Sequence, residues 1–283
     1  MGLGILCVAA VLWQIAWIFL VYEEPSQHPR ISSEEKQFIL KSLDQGKGRS
    51  DEQKIENGEN EKLIQPPKMA EDSSFPLLMI ISTPSVWALW MCFACFYWGY
   101  YAFLTNMPKY FHEVLYFDIE SNGFLSAIPI IAFGTMSLLV GQFGKVMVSS
   151  GWMSIVALRK SATALGMIIP AFILFLIWFV DCTKPLFAII ILTSALGLMG
   201  ANSAGIEPNY LDIAGRFAAI VFAIGETAAG VAGFAAVSMI GHITIDQSKE
   251  SWAIAITITG SVMSLGGLIF VVLGKASPAS WAQ

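Results

Sequence analysis

The chain is poor in charge. Only 13% of its 283 residues are Asp, Glu, Lys or Arg, about half the share of an ordinary soluble domain. More than half of those charges fall between Glu23 and Asp72, so the remainder is nearly charge-free. A net charge of −5 and a pI near 5.2 offer no basic surface for nucleic acid. Histidine is scarce, and His28, His112 and His242 stand far apart. The four cysteines, Cys7, Cys92, Cys95 and Cys182, show no zinc spacing. Cys92 and Cys95 have a redox spacing but sit inside an apolar run without a βαβ context, which makes them packing residues. No phosphate loop, nucleophile elbow or HExxH occurs. No metal, no cofactor and no catalytic set is therefore expected, and an enzyme is not expected.

Hydrophobic residues make up 55% of the chain, and mean hydropathy is +0.64. They gather into seven stretches near the roughly 20 residues that a spanning helix needs. These lie at 2–22, 85–107, 122–143, 161–180, 186–206, 216–240 and 252–274. Lipid offers no partner to backbone polar groups, so every span is expected to be helical. The first run has no basic n-region and no small-residue cleavage site, and it reads as a retained span. With the 23–84 loop in the cytoplasm, thirteen Lys and Arg fall inside and three outside. That is the bias expected of a multi-pass protein. Trp87 and Trp90 suit the membrane interface.

The 23–84 loop divides in two. Ser32 followed by Glu35 is a capping-box signal, and Phe38, Ile39 and Leu43 share one face. The spacing predicts a short surface helix over 33–43. Residues 44–74 are polar, charged and Gly/Pro-punctuated, and they are expected to be disordered. The six later spans, 85–274, should form one bundle, with 275–283 as a cytoplasmic tail.

Several short motifs keep a common order and spacing: Pro25, His28, Pro29 and Arg30 after the first span; Pro108 and Tyr110 after the second; Asn122, Gly123, Leu125, Ser126 and Pro129 opening the third; Arg159 and Lys160 before the fourth; Asn209, Leu211, Asp212, Ile213 and Ala214 between the fifth and sixth; Trp252 and Trp281 flanking the last. In these the chain resembles the anion:cation symporter family of the major facilitator superfamily, the group of sialin, vesicular glutamate and sodium–phosphate carriers. The resemblance starts at that family's sixth helix. It implies an all-α membrane fold of seven transmembrane helices, with the last six forming the second half of a major-facilitator fold. Lys145 stands where the family has Asp, Tyr210 where it has His, Gly215 where it has Pro, and Ala232 and Val237 where it has further prolines. Phe96 stands where vesicular glutamate carriers have Arg, which makes a glutamate-type substrate a poorer fit.

Within the spans, Glu226 is the sharpest residue. A carboxylate near the middle of 216–240 costs about 2.5–3.5 kcal/mol on insertion scales and should face the bundle interior or water. It is a candidate for proton coupling, against the plainer alternative of a hydrogen-bonded helix tie. Around it, small residues at three- and four-residue spacing predict close helix packing. Tyr97, Tyr101, Asn106 and Asn202 are candidates to line a substrate cavity, since aromatics with a polar tip suit an organic ligand. Glu207, Asn209, Asp212 and Arg216 read as a polar cluster at a cytoplasmic turn. Asp212 and Arg216 are spaced for an ion pair if one helix carries both. Asn209, Asp212 and Arg216 are thus either a cytoplasmic gate or a loop held by caps. His112 and Glu113 read as outer-surface residues.

The expected function is secondary active transport of an organic or inorganic anion by alternating access. The expected partners are the lipid bilayer, a small anionic substrate, H+ or Na+ as coupling ion, and a missing N-terminal half. The alternative is a transport-incompetent truncated or accessory membrane protein. A seven-helix receptor is disfavoured, because the long polar loop follows the first span. The tail from Lys275 to Gln283 carries no readable targeting motif, so plasma membrane and lysosomal or vesicular membrane both stay open.

Overall fold

The structure is a computed structural model that describes residues 2–22, 31–39, 76–180 and 185–282. It divides into two units, Met1–Asp72 and Ser73–Gln283. The first holds α1 (Gly2–Leu20), a 19-residue helix without a charged side chain, and α2 (33–39). Ser32 caps α2, with Glu35 N–H donating to Ser32 Oγ at 3.1 Å. The expected disordered stretch 44–74 and residues 40–43 of the expected surface helix lie outside the described residues.

The second unit is all helix among its described residues. The chain passes through α3 (Leu77–Ile81), α4 (Pro84–Glu113) and α5 (Ile119–Ser149). A long third run follows: α6 (Ile155–Thr163), a π-turn (Ala164–Ile168), α7 (Ile169–Phe175) and a 3₁₀ turn (Leu176–Phe179). Then come α8 (Pro185–Met199), a 3₁₀ turn (Gly200–Ala204), α9 (Ile206–Ala214), α10 (Ala218–Ile243) and α11 (Lys249–Leu273). Ser154 caps α6 by accepting from Ala157 N–H.

Five helical runs among the described residues are long and apolar enough to cross a membrane. One of them, Pro185–Ile243, has 59 residues. As continuous helix it would reach about 88 Å, near three times the ~30 Å hydrocarbon core. It is broken at Gly205 and again at Gly215, where φ is +47°. Tyr210 of α9 touches Gly225 of α10 across that second break, so the two helices run antiparallel. The expected spans 186–206 and 216–240 are therefore joined by a helix, α9, and not by a loop.

Glycine sets the closest seams. A Cβ on Gly225 would strike the Tyr210 hydroxyl and the Trp90 ring, and one on Gly233 would strike the Tyr101 ring. With Ala229 and Ala236 these residues make the buried stripe by which α10 packs along α4. Gly99 of α4 abuts Met263 of α11, and Gly266 of α11 abuts Cys95 of α4. Cys92 and Cys95 are buried and unbridged, as packing residues would be. The tail folds back on the bundle: Ala279 N–H donates to the Ile213 carbonyl, and Trp281 Nε1–H donates to Thr83 Oγ1 at 2.9 Å.

The start of α11 is tied outside the spans. Ser251 N–H donates to Ser248 Oγ, and Ser251 Oγ–H donates to Asp246 at 3.0 Å. Hydrogen bonds from Ser248 and then Ser251 hold the Asp246 carboxyl below the usual carboxylate range. A depressed carboxyl stabilises the fold fully above the ordinary Asp value of about 3.9 and loses that effect as pH falls through its folded value. Amide exchange at Ser251 and Trp252 should be pH-independent in its protection above that range and should speed up below it. Unchanged protection in acid would show that Asp246 does not hold this turn.

Candidate functional site

Three helices build one polar wall. Tyr97, Tyr100 and Tyr101 lie within about two turns of α4. Their rings pack on each other, with Tyr97 5.9 Å from Tyr100 and 5.7 Å from Tyr101. Tyr101 rests on Gly233 of α10, where the missing side chain makes room for its ring, and it stays 36% exposed. Glu226 of α10 is half-buried, and Glu207 of α9 is exposed. Glu207 and Glu226 are close enough to repel one another, and Tyr97 feels both. Phe222, one turn before Glu226 on the same face, packs 5.1 Å from Tyr210.

The matching depth of the two carboxylates follows from the chain. Glu207 lies seven residues before the end of α9 at Ala214, and Glu226 lies eight residues after the start of α10 at Ala218. At 1.5 Å per residue, each is about 11 Å in from the turn that joins the helices. Neither has an ion pair or side-chain hydrogen bond among the described residues.

The cavity candidates separate. Tyr97 and Tyr101 belong to this wall; Asn106 and Asn202 do not. Asn106 donates to the Ala102 carbonyl at 3.1 Å and to Thr105 Oγ1 at 2.8 Å. It lines a different, narrow cleft with Phe103, Tyr110, Trp252 and Thr259. Asn202 is fully buried, packed on Gly166 of the π-turn, with its Oδ1 unpartnered.

The polar cluster around Asp212 is also rearranged. Asp212 pairs with Arg159, Nε to Oδ2 at 2.7 Å, and Arg159 Nη1–H donates to the Ala204 carbonyl at 2.9 Å. The expected Asp212–Arg216 pair does not form, because α9 ends at Ala214 and Gly215 turns the chain away. Arg216 lies over the Phe217 ring instead, at 4.8 Å. Asn209 is fully buried, and both its side-chain polar atoms lack a partner. In the sequence Arg159 stands only as part of a short motif. Its partner is 53 residues away, so local spacing carries no sign of the pair.

The far end of the bundle carries a second polar knot. Lys109 Nζ donates to Thr244 Oγ1 at 3.0 Å and stands 3.8 Å from Glu113. Trp252 Nε1–H donates to Glu113 Oε2 at 3.0 Å. Glu113 is thereby a tie between α4 and α11, where a surface residue was expected. His112 stays on the exposed side, 3.3 Å from the Phe117 carbonyl.

Long apolar helices and small-residue seams define an integral, multi-pass helical membrane protein. Residues 1–237 match the Major Facilitator Superfamily, and the chain belongs to it. Human sialin is 28% identical over 96% of this chain and 50% of its own length. A putative inorganic phosphate cotransporter of Drosophila ananassae is 28% identical over 97% of the chain and 53% of its own. Vesicular glutamate transporter 2.1 of Danio rerio is 28% identical over 96% and 44%. The chain thus spans about half the length of these curated relatives.

Proposed function

We propose that this chain forms the second half of a secondary active transporter that moves an organic or inorganic anion by alternating access. The observation that carries this reading is the wall of Tyr97, Tyr101, Glu207 and Glu226. Charge at membrane depth is costly and belongs on a substrate or ion path, and in carriers of this build such sites lie near mid-membrane between two halves. The likeness to sialin, phosphate and vesicular glutamate carriers supports an anionic substrate and transport rather than catalysis. H+ or Na+ is the coupling ion in this reading, with Glu226 as the coupling residue. Asn209, Asp212 and Arg216 then belong to the cytoplasmic end, where the Arg159–Asp212 pair is the element that opens and re-forms.

The test is anion uptake into proteoliposomes across a pH step. Glu226→Gln should abolish the pH dependence while leaving protein yield unchanged; an unaltered pH profile removes Glu226 from coupling. Uptake by the reconstituted chain at or below the empty-vesicle rate would count against transport by this chain itself.

A further inference from the structure

A cavity of about 440 Å³ lies between the end of α5 and the start of α6 on one side and the Gly200–Ala204 turn and the first residues of α9 on the other. Helical spacing sets its sides. Gly141, Gly144, Lys145 and Val148 recur three and four residues apart on α5, and Ile155, Leu158 and Arg159 do so on α6. The two stripes touch at Gly144, where a Cβ would stand 2.9 Å from Leu158 Cδ1. The cavity lies beside that contact.

Its charge is of one sign. Lys145 and Arg159 line it, and no Asp or Glu does. Lys145 is exposed and has no ion pair among the described residues. Arg159 directs Nε–H and an Nη2–H to Asp212 and an Nη1–H to the Ala204 carbonyl. A guanidinium carries five N–H groups, so one on each Nη is left over. The start of α6 adds backbone donors. A helix leaves its first amides without partners inside the helix. Ser154 Oγ takes up that of Ala157, and Ile155, whose amide is another of them, lines the cavity. The hydroxyls of Ser149 and Ser203 donate to the carbonyls of Val146 and Ser137. What faces an occupant is therefore a set of donors under positive charge.

Ammonium, guanidinium and helix N-terminus together are the chemistry that holds an oxyanion with several oxygens, phosphate above all. The cavity has over ten times the ~30 Å³ share of one water, so inorganic phosphate alone would leave much of it empty. Val148, Ile155, Leu158 and Pro208 make an apolar remainder that suits the organic part of a phosphate ester. Two sources reach this place. Trp152, in the turn from α5 to α6, is 80% exposed, and Phe143 of α5 is 65% exposed. Such residues mark the level where a span meets lipid headgroups, and that level is open to soluble esters too.

We propose that Lys145, Arg159 and the start of α6 form a binding site for a phosphate ester, apart from the wall of Tyr97, Tyr101, Glu207 and Glu226. The site does not depend on the carrier reading.

Thermal unfolding of the whole purified chain in neutral detergent tests it, because a ligand that binds only the folded state raises Tm with concentration. Sodium glycerol 3-phosphate is the soluble probe, with sodium chloride at equal ionic strength as its control. Micelles doped with dioleoyl phosphatidic acid are the lipid probe, with dioleoylglycerol, which lacks the phosphate, as theirs. A saturable rise in Tm with glycerol 3-phosphate would assign the site to a soluble ester. A saturable rise confined to phosphatidic acid would assign it to a headgroup. Lys145→Gln should weaken either interaction at least tenfold without moving the Tm of the unliganded chain, since its ammonium has no ion pair to lose. If that variant does not fold, Gly141→Leu supplies the test by filling the cavity. A Cβ at Gly141 meets nothing within 4 Å, so the new side chain has room, and it should weaken binding to a similar degree. Equal rises with the phosphate-free controls would overturn the assignment. So would no saturable rise with either phosphate, or one that Lys145→Gln leaves intact. Loss of anion uptake with phosphate-ester binding retained would count against transport and not against this site.

Discussion

Gly200→Ala is expected to destabilise the protein by about 3 kcal/mol, the upper end of ordinary overpacking losses. A Cβ at this position would collide with the carbonyl oxygen of Phe133 and stand 2.9 Å from the amide nitrogen of Ser137. Both are backbone atoms of α5, so no side chain can swing aside. The helices have to separate, and the neighbouring bond from Ser203 Oγ–H to the Ser137 carbonyl at 3.0 Å should be strained with them. Gly230→Ala is the control. It stands in α10 with open space around its added methyl, and replacing a helical glycine there should stabilise by roughly 0.5–1 kcal/mol. Equilibrium unfolding of the two variants in mixed detergent–SDS micelles reads both signs. Equal effects at the two positions would mean that backbone approach does not set the seam between α5 and the Gly200–Ala204 turn.

Arg159→Ala should cost about 2–3 kcal/mol. The loss of one member of a wholly buried pair costs more, but Arg159 and Asp212 retain 15% and 19% side-chain exposure, which moderates the loss. The substitution strands two acceptors, the Asp212 carboxylate and the Ala204 carbonyl. Asp212→Ala frees the arginine but leaves its bond to Ala204, so it should cost less. The exchange of both residues, Arg159→Asp with Asp212→Arg, should recover the ion-pair part and not the Ala204 bond. A double-mutant cycle should therefore show coupling of about 1–2 kcal/mol. Arg216→Glu should change stability by no more than about 0.5 kcal/mol. Additive losses in the cycle, or a large effect at Arg216, would contradict the pairing.

The spans were legible because lipid leaves one solution to a long apolar run. What failed at α9 was the meaning of its polar residues. Glu207, Asn209 and Asp212 read as a turn, yet Ile206, Tyr210, Ile213 and Ala214 are buried at helical spacing between them. The helix is short and polar on one side, and its stability comes from packing on α10 and on the Gly200–Ala204 turn. Within the candidate site, Glu226 stands out because it interrupts an apolar run. Glu207 does not, because it lies among other polar residues; the chain reversal at Gly215 is what sets its depth. Arg159 and Lys109 act through partners distant in sequence, which periodicity does not reach.

The π-turn at Ala164–Ile168 works as a phase shift. One residue corresponds to 100° of helical rotation, and a π-turn accommodates a single extra residue without ending the helix. Upstream of it, Arg159 is aimed at Asp212; downstream, Ala171 of α7 lies against Gly260 of α11. A regular helix could not satisfy both orientations at once. Deleting one residue from the turn would straighten the helix and turn Arg159 about a quarter of a revolution off its partner. The angular setting of the Arg159–Asp212 ion pair is thus fixed by an irregularity more than one turn away from it.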